Sequence, residues 1–146
     1  VREWSGKRYW LVGASEGLGA ALAHQLACAG VEVIISARSQ DKLNALVSEL
    51  PGNVSSQVVD VSDRASVEVA AQAVGDVDGV VFLAGVYWPM TSQNWDASLA
   101  EAMADINFTG AIRVMGSVMP MMQKRGSGHL VITGSLSGFR GLPGAI

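Results

Sequence analysis

The feature that most constrains this chain is a rhythm. Short runs of Val, Ile and Leu recur between longer stretches of helical spacing, and the runs carry no polar alternation. An apolar run without alternation is the pattern of a strand covered on both faces, as in a parallel sheet. Strands are predicted near Tyr9 to Gly13, Val31 to Ala37, Ser56 to Val61, Gly79 to Ala84 and His129 to Gly134. Between them, Gly17 to Ala29 is rich in Ala and Leu. Ser39 is placed to cap a helix with Leu43, Leu46, Val47 and Leu50 on one face, which Pro51 and Gly52 stop. Asp63 caps a third helix through Val67 and Ala71, and a fourth runs from near Trp95 to about Lys124, with a kink or local break expected at Pro120. Strand, helix, strand with short connections requires parallel pairing and right-handed crossovers. The fold class is therefore α/β, a doubly wound parallel sheet of five strands with helices on both faces. No repeat, low-complexity tract or charge block divides residues 1–146, so they read as a single domain.

Composition narrows the function classes. The chain is 49% hydrophobic and 16% charged with a net charge of -3, and its ten Lys and Arg are scattered, which leaves no electrostatic footprint for nucleic acid. The single cysteine, Cys28, cannot build a disulfide framework and reads as a small core residue of a helix. Apolar runs such as Val80 to Val86 fall far short of the roughly 18 residues a membrane span needs. The opening Val1, Arg2, Glu3, Trp4 and the interruption at Glu16 show no signal-peptide pattern, so a soluble, cytoplasmic setting is expected. His24 and His129 have no partners at metal-ligand spacing, so no metal is expected. Met115, Met119, Met121 and Met122 read as helix packing. Trp88, Pro89 and Met90, and the segment from Phe139 to Pro143, lie where a substrate pocket would form, and serve equally well as loop anchors.

The chemistry starts at Gly13-Ala14-Ser15-Glu16-Gly17-Leu18-Gly19, which follows the first strand and runs into a helix. Ligands of doubly wound sheets sit at the carboxyl ends of the strands, and a pyrophosphate is the natural guest of a helix N-terminus placed there. Gly13 permits the turn, Gly17 lets phosphates approach the backbone N–H groups, and Gly19 lets the helix lie close on the sheet. At the end of the second strand, an NAD-selective site needs a carboxylate for the adenosine ribose hydroxyls. Ala37 stands there instead, followed by Arg38, whose guanidinium suits a 2′-phosphate. NADP(H) is favoured over NAD(H), with Ser15 and Ser39 as additional phosphate contacts.

The spacing G-x-x-x-G-x-G resembles that of the short-chain dehydrogenase/reductase family, and other positions match in order along nearly the whole chain. Asp60-Val61 resembles the family's adenine-contacting Asp-Val, Ala84-Gly85 the end of its Asn-Ala-Gly motif, Asn107 its helix asparagine and Ser135 its catalytic serine. The resemblance implies a Rossmann-like fold, incomplete at its carboxyl-terminal side, and hydride transfer between nicotinamide and an alcohol or carbonyl substrate. It also implies that Ser135 orients the substrate oxygen, that Asn107 supports a water-linked proton relay, and that the long helix forms a homodimer or homotetramer interface. Two positions depart from the pattern: Val12 replaces a threonine and Leu83 an asparagine. Losing both polar partners together leaves no buried orphan and should be nearly neutral.

The family's Tyr-x-x-x-Lys would fall just past Ile146. Tyr9 and Tyr87 are the only tyrosines, with Gly13 and Thr91 four residues on, so neither begins that motif. A phenol of ordinary pKa near 10 needs a nearby cation to act as a base near neutrality, and without this tyrosine and lysine the chain by itself is expected to be inert. Two readings follow. One is the first part of a longer NADP(H)-dependent oxidoreductase; the other is a non-catalytic dinucleotide-binding sensor or regulatory module.

Overall fold

The computed structural model describes residues 3–141. Five parallel strands, β1 (Arg8–Val12), β2 (Glu32–Ala37), β3 (Val54–Val58), β4 (Gly79–Phe82) and β5 (His129–Ile132), form one sheet in the order β3-β2-β1-β4-β5. Five helices connect them: α1 (Gly17–Cys28), α2 (Gln40–Glu49), α3 (Arg64–Val74), α4 (Ala97–Ala104) and α5 (Gly110–Arg125). The chain order reverses direction across the sheet at β1 and β4, the switch point where such folds bind ligands.

The uninterrupted apolar run of β1 is explained by its two neighbouring cores. Tyr9 and Leu11 pack with Ala23, Leu26 and Leu43 on one face, and Trp10 and Val12 pack with Val67, Val114 and Val118 on the other. Successive side chains alternate faces, so a central strand covered twice has no polar position to offer. Trp10 is fully buried and its indole N–H donates to the buried Ser36 Oγ at 2.8 Å, so each polar group satisfies the other. Truncating such a residue to Ala costs about 3–5 kcal/mol.

The edges behave differently. β3 and β5 each pair on one side only, and neither contains a fully buried residue. That is why β3 tolerates Ser55, Ser56 and Gln57; the strand spans Val54–Val58 rather than the predicted Ser56 to Val61, while Val59 and Val61 are buried beyond its end. Its register is set by β2, where Val33 pairs with Val54 and Ala37 with Val58. On β5, Val131 and Ile132 are 36% and 49% exposed.

The caps expected at Ser39 and Asp63 form: their side chains accept from the Lys42 and Ala65 N–H groups at 3.4 and 3.0 Å. The long fourth helix does not form as one regular element. It begins at Ala97, capped by Asp96 rather than entered from Trp95, and is divided into α4 and α5 by a π-helical turn, Asp105–Thr109. Nor does Pro120 break it, since α5 runs through to Arg125. Gly116 and Pro120 are both exposed, so the carbonyl that loses its N–H partner lies on the wet face of the helix. Cys28, expected in the core, is exposed. The packing face of α1 is Gly19, Ala23, Leu26 and Ala27, and Cys28 lies one position beyond it, beside His24 Nδ1 at 3.7 Å. Among the described residues no helix is long and apolar enough to cross a membrane.

Candidate functional site

A cleft of about 610 Å³ opens at the carboxyl ends of the strands. It is lined from the sequence motifs by Gly13, Ser15, Glu16, Leu18, Gly19, Arg38, Asp60, Val61, Ala84 and Gly85; Gly17 is not among its lining residues.

The floor is the glycine loop. The N–H groups of Gly13 and Ala14 both donate to the Ser36 carbonyl, at 2.7 and 3.0 Å, which ties the loop to the end of β2. Gly13 has φ +89°, and a Cβ there would overlap the main chain of Ala84. One at Gly19 would sit 2.5 Å from Ala14 Cα, so the first turn of α1 lies against the loop only because that position is bare. Glu16 is the N-cap of α1 but its side chain caps nothing, which leaves the leading N–H groups of the helix uncovered by a carboxylate. Above Gly17 the space is open.

One wall is the end of β2. Arg38 is exposed and makes no hydrogen bond or ion pair among the described residues. Beside it stands Lys42, a residue the motifs did not single out, whose Nζ lies 2.7 Å from Glu16 Oε2. That ammonium holds the Glu16 carboxyl below the usual carboxylate range.

The opposite wall is the turn after β3. Asp60 Oδ1 accepts from the Ser62 hydroxyl at 2.6 Å and from the Ser62 N–H at 2.9 Å, while the Asp60 N–H donates to Ser66 Oγ at 2.9 Å. The Ser62 hydroxyl is the main cause of a carboxyl pKa below the usual aspartate value, with Arg38 and Arg113 contributing as nearby cations. Val61 packs on the start of α5, where a Cβ on Gly110 would come within 3.0 Å of it. Arg113 fastens this contact by donating to the Val61 carbonyl at 3.0 Å and to Asp105 Oδ1 at 2.8 Å. Asp105 in turn raises the Arg113 pKa.

A second cleft, of about 620 Å³, adjoins the first through Gly85 and Val86. It contains Asn107 and Ser135, together with Tyr87, Trp95 and Ser137. Asn107 lies in the π-helical turn, and its side chain spans the backbone of one residue: Oδ1 accepts from the Val86 N–H at 2.7 Å and Nδ2 donates to the Val86 carbonyl at 2.8 Å. Such π turns carry an extra residue and recur at functional sites. Ser135 caps a short 3-10 turn, its Oγ accepting from the Ser137 N–H at 3.2 Å and lying 2.8 Å from Ser137 Oγ.

Of the two loops read equally as pocket wall or anchor, the first serves as an anchor: Met90 is buried, the Trp88 N–H donates to the Met103 sulfur at 3.4 Å, and none of Trp88, Pro89 and Met90 lines either cleft. In the other, Phe139 is 93% exposed, and Leu142 and Pro143 lie outside the described residues. His129 bonds Tyr9 OH through Nδ1 at 2.9 Å. Where threonine and asparagine would have joined β1 to β4, the backbone does so alone, with the Leu83 N–H donating to the Val12 carbonyl at 2.7 Å and both side chains packed.

The short chain dehydrogenase family model matches residues 7–146, and the chain belongs to that family. It is 31% identical over 137 residues to an uncharacterized oxidoreductase of Staphylococcus saprophyticus, covering 88% of this chain and 58% of the relative. It is 36% identical over 147 residues to the glycine betaine reductase of Emericella nidulans, covering 96% of this chain and 12% of that much longer protein. Among solved structures, an actinorhodin polyketide ketoreductase variant crystallised with NADPH superposes with a TM-score of 0.92 at 27% identity, covering 99% of this chain and 58% of the other. The chain thus spans little more than half the length of two of these three proteins.

Proposed function

We propose that residues 1–146 form the cofactor-binding domain of an oxidoreductase that moves a hydride between NADP(H) and an alcohol or carbonyl substrate. The observation that carries this reading is Arg38: an exposed guanidinium with no partner among the described residues, next to Ala37, in a cleft that begins at a glycine loop. The cleft fits a dinucleotide. Its volume is in the range of ligand sites, α1 opens on it without a capping side chain, and its ribose corner holds a cation where NAD selectivity would call for a carboxylate.

The nicotinamide, when bound, supplies or takes the hydride. The pyrophosphate would rest on the turn from Gly13 to Gly19, the 2′-phosphate on Arg38 with Ser15 and Ser39 near it, and the adenine between Arg38 and Asp60-Val61. Ser135 accepts from Ser137 and keeps its own proton to donate to a substrate oxygen. Asn107 holds both sides of the Val86 backbone, a residue that both clefts share, so it positions the junction between cofactor and substrate. The tyrosine and lysine of the reaction would come from the additional length that the relatives have. Phe108, Ile112 and Met119, exposed along the helix, suit contact with a second copy. A cytoplasmic setting fits the same reading.

The test is cofactor binding and turnover by the full-length protein. NADPH should bind more tightly than NADH, and Arg38→Gln should weaken NADPH about tenfold with NADH unchanged. Equal affinities would remove the NADP(H) preference. Tight NADPH binding with no turnover across a broad panel of carbonyls and alcohols would leave a binding module in place of an enzyme.

A further inference from the structure

We infer that Lys42 is a determinant of cofactor specificity: in the free protein its ammonium is held by Glu16, and on binding it turns to the 2′-phosphate of NADP(H). This rests on the NADP(H) reading above. It adds a residue that neither the glycine loop nor the end of β2 points to.

Glu16, Arg38, Ser39 and Lys42 line the same corner of the cleft. Glu16 comes from the loop before α1 and Lys42 from the first turn of α2, and the two meet at 2.7 Å. The corner faces Asp60 across the cleft, close enough for Arg38 to act on its carboxyl. Asp41, in the same turn as Lys42, does not line the cleft. An incoming phosphate therefore meets two carboxylates, Glu16 and Asp60, and two cations, Arg38 and Lys42. Arg113 also acts on Asp60, but it is paired with Asp105 and does not line the cleft, so without Lys42 the two carboxylates that line the cleft would face a single guanidinium. With it the four charges balance, and short-range hydrogen bonds decide the outcome.

The latch is weak enough to yield. Side chains of Lys42 and Glu16 are 56% and 73% exposed, and exposed ion pairs contribute little because solvent screens them and two long side chains must be held still. A phosphate offers more charge and more acceptor oxygens than a carboxylate, so the ammonium gains by exchanging partners. Glu16 then returns to water, which its exposure allows at small cost. NADH has no phosphate at this corner and leaves the pair closed. The same pair thus separates the two cofactors.

The experiment measures NADPH and NADH dissociation constants for the full-length protein and its Lys42→Gln and Glu16→Gln variants, by quenching of intrinsic fluorescence at two salt concentrations. Lys42→Gln should weaken NADPH roughly fivefold, flatten its salt dependence and leave NADH unchanged. Glu16→Gln frees the ammonium but also removes a negative charge from the turn proposed for the pyrophosphate, so both cofactors should tighten, NADPH roughly threefold more than NADH. Both side chains are exposed, and unfolding midpoints close to wild type would confirm that the variants fold. Equal weakening of both cofactors in Lys42→Gln would make the residue a support of α2 and overturn the inference. So would an unchanged NADPH preference in Lys42→Gln, or weaker NADPH binding in Glu16→Gln. If the wild-type protein itself binds NADH as tightly as NADPH, the NADP(H) reading fails first, and the inference fails with it.

Discussion

The two ends of the sheet use the same residue types to opposite effect. At the amino ends of the strands, charged and polar groups are bonded to the fold. Arg8 pairs with Glu32 at 2.7 Å, donates to the Val74 and Asp76 carbonyls, and gives its own N–H to Asp78. Arg125 donates to the Val77 carbonyl at 2.7 Å, and Tyr9 reaches across Gly79 to His129. At the carboxyl ends Arg113 and Asp60 are bonded in the same way, but at one corner of the cleft Arg38 has no hydrogen bond or ion pair among the described residues, and the Glu16 and Lys42 side chains bond each other. An arginine that satisfies main-chain carbonyls stabilises the protein. One left in water beside a cleft contributes little to stability and is free to bind.

The largest effect that separates the ends is expected from Gly13→Ala. It places a Cβ against the Ala84 main chain at a positive φ, and should cost about 3 kcal/mol or more and abolish dinucleotide binding. Urea unfolding and a binding titration check both. Arg8→Met should cost about 1–2 kcal/mol, since it removes a half-buried bond to the Val74 carbonyl while the Asp76 carbonyl and Glu32 can turn to water, yet leave the affinity of any folded protein for NADPH unchanged. A loss of affinity there would show that the two ends are coupled. Tyr9→Phe removes one hydrogen bond to His129 and should cost about 1 kcal/mol, read as a lower unfolding midpoint with cofactor binding intact.

The smallest effect is a titration. The Asp60 pKa is depressed in the folded protein, so its contribution to stability is fully present above the ordinary aspartate value of about 3.9 and is lost as pH falls through the lower folded value. Ser62→Ala removes the hydroxyl that does most to depress it. The folded value should rise toward the ordinary one, visible as an upward shift of the Asp60 carboxyl titration by NMR, and stability should be slightly lower above pH 4.

Much of the cleft was legible in the sequence because its residues come from the ends of consecutive strands. Once the strands are parallel, the loops after them must meet at one edge. The glycine loop, Arg38, Asp60-Val61 and Ala84-Gly85 are brought together for that reason. What escaped depends on geometry between elements. Lys42 reads as a surface residue of α2 until the fold sets it against Glu16, 26 positions earlier, although a lysine one turn after the Ser39 cap was a signal within reach. Arg113 had no motif at all, and only the packing of Gly110 on Val61 brings it within reach of that carbonyl.

By itself, then, the sequence determined the succession of strands and helices along the chain, the parallel sense of the strands and the place of the glycine turn. Those follow from local periodicity and from backbone positions that only a bare glycine can fill. The tertiary structure alone decided which strands are edges, which side of α1 Cys28 takes, where the long helix gains its π turn, and which cation Glu16 holds. Each of these depends on how far one element slides or rotates against another, and side-chain spacing along a single element carries no information about that displacement.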